Sequence, residues 1–469
     1  MSEDVKFTST PNLVEFDPSQ FYWQHRLIWD VRKGFDYGLG THECLLSGTV
    51  GSGKSLPAAH LIASHVIMYP GADFGIGRRT LPDLKDTLCA DLQEHLFGVG
   101  VEYKYNSSSG DFFFSNKSKI SAHSWADGNY KKFGSQKFSG FAIEEAQENK
   151  EDKAYSYILT RIGRRPHIPE KIFLLMCNPD SPSHWIAEKF KVGAGKEHGT
   201  IDRVSPTKHV YYSRTEQNRF LPPSYIDKLK SDLDPKLARR LLYGEWIEID
   251  KERIYHAYDS DRNYLKDQTY KVNPRYPVRV SFDFNIARGK PLSAIFFQYI
   301  DGRFHFFAET VVEGLNTEQN LEESAGRGFF EHPAKYIVHG DAAGRSGDTR
   351  SNRSDYEIIR HWLSRFRRKD GSSLEFEIQV PSSNPSIRDR HNLVNSHCIN
   401  ALGEVRLFLY KGCAVADEGL RLTALKDSSQ YIEDDSKSYQ HITTAIGYGI
   451  NSSTKNEGAR GATTLRRTY

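Results

Sequence analysis

Nothing in this chain approaches the ~20 consecutive apolar residues of a membrane-spanning helix, so none of its 469 residues reads as a bilayer segment. Cysteine is scarce: Cys44, Cys89, Cys177, Cys398 and Cys413 are scattered, with no C-x-x-C pair. That spacing argues against both a zinc site and a disulfide framework. The opening Met1-Ser2-Glu3-Asp4-Val5-Lys6 lacks the basic-then-apolar form of a signal peptide, and the expectation is a cytoplasmic, reduced protein. Charge of one sign is also missing. A formal net charge of +3 means that any surface for a polyanion must come from local clustering. What remains, 38% hydrophobic and 26% charged residues, is the composition of an ordinary globular chain, and its length allows two to four domains.

The most specific stretch is Gly48-Thr49-Val50-Gly51-Ser52-Gly53-Lys54-Ser55, which fits G-x-x-x-x-G-K-[ST]. An apolar run (Cys44, Leu45, Leu46) enters it, and Leu56, Ala59, Ile62, Ala63 and Val66 leave it at helical spacing. In such a loop, Gly48, Gly51, Ser52 and Gly53 let backbone N–H groups curl round a polyphosphate. The helix N-terminus adds positive dipole, Lys54 reaches the β- and γ-oxygens, and Ser55 ligates Mg²⁺. The ligand expected is ATP with Mg²⁺.

Upstream lies the aromatic-rich helical segment Phe21–Trp29. Gln24 within it can read an adenine edge through its amide; the competing reading leaves Gln24 at the surface of a helix that buries its aromatics. Downstream, a strand from Ala72 ends in Arg78-Arg79-Thr80, where an arginine finger or a solvated turn are the two readings. A further apolar strand, Phe138–Ile143, runs into Glu144-Glu145. There Glu144 is expected to hold Mg²⁺ through water and Glu145 to polarise the attacking water. The strand Lys171–Cys177 ends in Asn178-Pro179, placing Asn178 where ligands bind in open α/β sheets and where a γ-phosphate can be sensed.

The second half opens with polar residues 247–277, read as a linker. Val278–Asn285 then alternates as a strand carrying Asp283, Leu292–Tyr299 and Arg303–Thr310 form a hairpin around Asp301-Gly302, and Tyr336–Gly340 ends at Asp341. A carboxylate in an apolar strand needs a cation or a hydrogen-bond partner. Two of them in one domain point to a divalent-metal site, with a salt-bridged Asp283 and a turn-forming Asp341 as the alternatives. Arg360, Arg365, Arg367, Arg368 and Lys369, with Trp362 and Phe366 between them, read either as a phosphate-tracking strip or as a solvated helix face. Residues 451–469 read as a flexible basic tail.

The order GTVGSGKS, FAIEEA, LLMCNPDSPSHW, LLYGEW resembles the large terminase subunit of tailed bacteriophages over roughly residues 20–450. The resemblance implies an α/β protein with an N-terminal phosphate-loop ATPase of the additional-strand kind (1–246) and a ribonuclease-H-like nuclease (278–450). It also implies double-stranded DNA, a portal protein and a small terminase subunit as partners. The expected setting is a homo-oligomeric ring on the procapsid in the host cytoplasm. Asp283 and Asp341 become nuclease ligands for Mg²⁺ or Mn²⁺, but the third acid of the family's His-x-Ser-Asp-Ala string is Thr444 in His441-Ile442-Thr443-Thr444-Ala445. His441, Asp434, Asp435 or Asp427 are the candidates to compensate, the alternative being a second metal that binds only with DNA present. The rival functions are a translocase whose C-terminal domain does not cut and a helicase-nuclease of DNA repair.

Overall fold

A computed structural model describes residues 21–193, 196–249, 253–285, 290–345, 353–427 and 431–465. The chain divides into two units, Met1–Ile226 with Ala238–Glu248, and Asp227–Leu237 with Ile249–Tyr469.

The first unit is built on a nine-stranded sheet: β1 (His42–Gly48), β2 (Asp73–Arg78), β3 (Lys104–Asn106), β4 (Asp111–Phe113), β5 (Lys119–Ser124), β6 (Gly140–Ile143), β7 (Ile172–Cys177), β8 (Ile201–Ser205) and β9 (Lys208–Ser213). Its order is β3-β4-β5-β2-β6-β7-β1-β9-β8, and the run from β5 to β9 is parallel. Parallel strands are covered on both faces, which explains why β7 reads as an unbroken apolar run and why every residue of β1 is buried. Cys44 and Leu46 pack on one side with Ala59, Ile62 and Val66 of the helix Ser55–Met68, while Leu45 packs on the other with Phe141, Phe173 and Val210. The strand β7 sits between β1, which feeds the glycine loop, and β6, which carries the paired acids. All three therefore deliver their C-terminal ends to one edge.

The second unit has a seven-stranded sheet of β10 (Tyr264–Leu265), β11 (Val278–Asp283), β12 (Leu292–Ile300), β13 (Arg303–Val312), β14 (Tyr336–Gly340), β15 (Phe376–Ile378) and β16 (Leu407–Tyr410), in the order β10-β16-β13-β12-β11-β14-β15. The antiparallel meander β11–β12–β13, with β14 and β15 added in parallel beside β11, is the ribonuclease-H-like arrangement. The helix Ser438–Leu465 lays Ile442, Ala445, Ile446 and Ile450 on one face of this sheet. Leu321, Ile359 and Leu363 cover the other.

Three sequence readings change here. Residues from 253 onward within the expected linker are not a tether: Ile254, Tyr255 and Tyr258 are buried in the core of the second unit. The side chain of Asn395 binds the backbone of Ile254 and Ala257. The polar character of the stretch hid a few aromatics that matter more than the average. The expected tail from 451 continues the helix as far as Leu465, with Ser453 buried; residues 466–469 lie outside the described residues. Trp362 and Phe366 stack on each other at 4.9 Å and pack, half-buried, on Phe330, so these rings face the core of the unit. Arg368 is occupied by the carbonyls of Ser373 and Ala334. Among the described residues, no helix is long and apolar enough to cross a membrane.

Candidate functional site

In the first unit the loop after β1 closes into a tight cradle, with Gly51 and Gly53 at φ +70° and +85°. A Cβ on Gly48 would meet Ser213 Oγ at 2.1 Å and Lys54 Cδ at 2.8 Å, so the backbone approach there admits only glycine. The cradle is braced from behind. Thr49 N binds Ser213 O at 3.1 Å, Val50 N binds Leu241 O at 3.2 Å, and Trp246 Nε1 donates to Ser47 Oγ at 3.0 Å. The LLYGEW string thus buttresses the loop. Ser52 Oγ lies 2.9 Å from Ser213 Oγ, so its side chain supports the loop wall.

Lys54 Nζ donates to Gly48 O at 2.7 Å, Thr49 O at 2.8 Å and Asn178 Oδ1 at 3.0 Å. Burial pulls its pKa down to about 8, against the charge of Glu145. Asn178 turns its amide nitrogen to Glu145 Oε2 at 3.1 Å. Glu145 also accepts from Gln147 Nε2, and its backbone is left-handed at φ +44°. A non-glycine residue held there costs on the order of 1–3 kcal/mol, and such strain concentrates at functional positions. Glu144, the neighbour, is buried. It accepts from Thr87 Oγ1 at 2.6 Å and lies 3.8 Å from Arg78 Nη1. Burial raises its carboxyl to about 7, partly offset by Thr87 and Arg78.

The oxygen donors Ser55, Glu144 and Glu145 beside a glycine cradle suit a hard cation such as Mg²⁺. Asp91 adds a carboxylate that takes a hydrogen bond from Ser55 and is raised chiefly by burial. Thr87, Asp91 and Gln147 escaped the sequence reading because no motif marks them. Thr87 does lie in a π-helical turn, Lys85–Cys89, a feature common at functional sites. Gln24 is buried rather than at the surface, and its amide donates to Gly53 O at 3.0 Å. Arg78 pairs with Glu148, with Nη2 2.6 Å from Oε1, which fixes it beside Glu144 and away from a finger's free reach.

In the second unit Asp283 ends β11 and is buried. Its Oδ2 accepts from Asn285 Nδ2 at 2.7 Å and meets His441 Nδ1 at 3.0 Å. Burial raises its carboxyl and Asp341 adds to the rise, while His441 and Arg390 oppose it. Asp341 Oδ1 accepts from Asn384 Nδ2 and Ala343 N, both at 2.7 Å. Asp434 and Asp435 do not join them. Asp434 caps Ser436 N at 3.1 Å, and Asp435 pairs with Lys290. Both are short acidic side chains in a polar turn with nearer partners. Thr444 Oγ1 accepts from Gln440 Nε2 at 2.9 Å. Among the described residues, no group of three or more His, Cys, Asp or Glu converges to hold a metal. Asp283 and Asp341 close neighbouring strands, with Asp341 N donating to Phe282 O at 3.2 Å, and their carboxylate oxygens are of the kind a hard divalent cation takes.

The family model for the phage terminase large subunit matches residues 41–245. No curated protein matches the sequence. The fold is similar to that of the large terminase from a thermophilic bacteriophage in complex with ADP, at TM-score 0.60 and 15% identity, covering 92% of this chain and 98% of that one. The same thermophilic-phage protein in complex with ATP-gamma-S matches at TM-score 0.59 and 14% identity, with the same coverage. At such identity the likeness speaks to fold alone, and the family match rests on residues 41–245, the segment that carries the glycine loop, Glu144-Glu145 and Asn178.

Proposed function

We propose that this chain is the motor subunit that hydrolyses ATP to drive double-stranded DNA into a procapsid and cuts the DNA concatemer by metal-dependent hydrolysis. The observation that carries the ATPase half is the hydrogen-bonded line Lys54–Asn178–Glu145, from phosphate-binding lysine to water-polarising acid through one amide. Phosphoryl transfer asks a protein mainly for positioning and charge. Lys54, now held by two loop carbonyls and Asn178, exchanges these for β- and γ-oxygens when ATP enters. Glu145 Oε2 is fixed by Asn178 and Gln147, which leaves Oε1 to take a proton from water. Ser55 and Glu144 would hold Mg²⁺, which when bound would draw charge from the phosphate oxygens. Nucleotide binding is further supported by the thermophilic-phage terminase complexes with ADP and ATP-gamma-S.

Asn178 also begins the segment that passes γ-phosphate loss onward: Asp180 pairs with Arg240 Nη1 at 2.8 Å, and Ser181 binds Glu248. In the second unit Asp283 and Asp341 are the acids for DNA hydrolysis. A divalent cation there would polarise a phosphate oxygen and acidify water. Portal, small terminase subunit and a ring of copies on the procapsid, in the cytoplasm of the infected host, complete the proposal.

Displacement of a triplex-forming oligonucleotide from duplex DNA tests the translocation. ATP-dependent displacement that disappears in Glu145→Gln supports it; unwinding of a forked duplex instead would favour a helicase-nuclease. Thr444 favours one second reading, a translocase with a non-cutting C-terminal domain. Plasmid cleavage separates the two.

A further inference from the structure

Glu145 is presented by a short turn, and one other segment of the first unit ties that turn down at both ends. Ala146–Glu148 form a single 3₁₀ turn after β6; Glu145 enters it left-handed at φ +44° and Asn149 leaves it extended. At the near end Asn178 reaches the turn twice. Its amide nitrogen donates to Glu145 Oε2 at 3.1 Å, and its backbone N–H donates to Gln147 Oε1 at 3.2 Å. At the far end the contact is Trp185, whose indole Nε1 donates to the carbonyl of Asn149 at 2.7 Å. Between the two, Asp180 pairs with Arg240 at 2.8 Å and Ser181 binds Glu248, which moors the segment itself.

Asn149 is the joint. Its Oδ1 accepts from Trp125 Nε1 at 2.5 Å, and its Nδ2 donates back to Ala146 O at 3.0 Å, closing the turn. Trp125 is buried and seated on Gly77 of β2, where an added Cβ would fall 2.5 Å from the indole ring. Trp185 is half-buried, with its ring 5.3 Å from that of Tyr155. Both indoles act on the far end of the turn, whereas the braces of the glycine cradle come from Ser213, Leu241 and Trp246.

A non-glycine residue stays left-handed only where its surroundings over-determine it. For Glu145 those surroundings are the near and far ties. The near tie belongs to Asn178, which also holds Lys54 and is therefore drawn toward the phosphates when ATP enters. The far tie involves no group that faces the nucleotide. We infer that Trp185 and Asn149 are positioning residues for ATP hydrolysis: the indole–carbonyl bond fixes the exit of the turn, and so keeps Glu145 aimed at the attacking water while Asn178 is engaged with phosphate. This deepens the reading of Glu145 as the water-polarising acid and rests on it.

The test is Trp185→Phe in the full chain, which keeps an aromatic ring against Tyr155 and removes the N–H. The half-buried Asn149 carbonyl can then take water, so no buried group is left unpaired. The kcat for ATP is expected to fall about tenfold, since misplacing a catalytic group by ~1 Å costs up to about 10²-fold. KM for ATP and the affinity for ATP-gamma-S should stay within about twofold of wild type, as for an interaction used only in the transition state. In a Glu145→Gln background the same substitution should cost nothing further, because residues that act as a unit are non-additive. Asn149→Ala opens the joint from the other side and should give the same split between kcat and affinity, which decides the matter if Trp185→Phe does not fold.

A further loss of about tenfold in the Glu145→Gln background overturns the positioning role. So does a kcat that falls together with nucleotide affinity and thermal stability, as for residues that merely hold the fold. Hydrolysis by the wild type that neither variant alters overturns this inference alone. A wild type that hydrolyses no ATP overturns the ATPase reading and this inference with it.

Discussion

Asn178 accepts a hydrogen bond from Lys54 at 3.0 Å, and so ties the end of β7 to the phosphate loop that follows the neighbouring strand. The same amide donates to Glu145. Asn178→Asp would place a carboxylate against Glu145 and lock Lys54 in an ion pair. ATP hydrolysis is expected to fall by about 10²-fold and nucleotide to bind more weakly. Phosphate release and fluorescent-nucleotide titration measure both; unchanged hydrolysis would remove Asn178 from the mechanism.

Gly48 is where the loop tolerates least. Gly48→Ala drives a methyl group into Ser213 and Lys54, and overpacking of this kind costs about 1–3 kcal/mol. The loss should appear in the loop, as nucleotide affinity reduced at least tenfold, while thermal unfolding of the second unit stays put. Calorimetry with and without ATP reads the two effects separately.

What could be read from the sequence was whatever the chemistry forces into one contiguous string. Gly48 to Ser55, Glu144-Glu145 and Asn178 each close a strand, and the parallel sheet brings those strand ends to one edge. Asp283 and Asp341 were legible for the same reason, since an acid closing an apolar strand is conspicuous. Arg390, Asn384 and Thr87 were not, because they reach their places from helices and loops through tertiary packing that no local spacing encodes. Tyr255 and Tyr258 were lost in a polar stretch. Asp434 and Asp435 looked available only because Ser436 and Lys290 could not be placed beside them from sequence.

Glu433 should mark the acid limit of the second unit. Burial alone would raise its carboxyl, but His391 and Arg390 hold it at about 2, below the ordinary 4.5. A depressed carboxylate contributes stability that is present above its unfolded pKa and is lost as pH falls through the folded one, here from about 4.5 to about 2. Glu433→Gln leaves Arg390 buried without its anion, and should destabilise the unit by about 3 kcal/mol at pH 7. The gap to wild type should narrow below about pH 4.5 in denaturant titrations. A gap independent of pH would contradict the assignment.

The boundary of the second unit can be tested by truncation. A fragment of residues 227–469 keeps Ile254, Tyr255 and Tyr258 in the core and the Asn395 bonds to Ile254 and Ala257. It should unfold cooperatively. A fragment of 278–469 loses two buried tyrosines, each worth about 3–5 kcal/mol as a large-to-small core change, and should be molten or insoluble by near-ultraviolet circular dichroism. Equal stability of the two fragments would return residues 253–277 to the status of a linker.

The most direct measurement is ATP hydrolysis and supercoiled-plasmid cleavage on the same preparations of wild type, Glu145→Gln and Asp283→Ala, in Mg²⁺ and in Mn²⁺. Two sites in two units predict independent losses. Glu145→Gln should lose hydrolysis by at least about 10²-fold and still cut; Asp283→Ala should hydrolyse ATP and no longer cut. Wild-type cleavage no greater than that of Asp283→Ala with either metal would contradict the claim that this chain is both motor and nuclease.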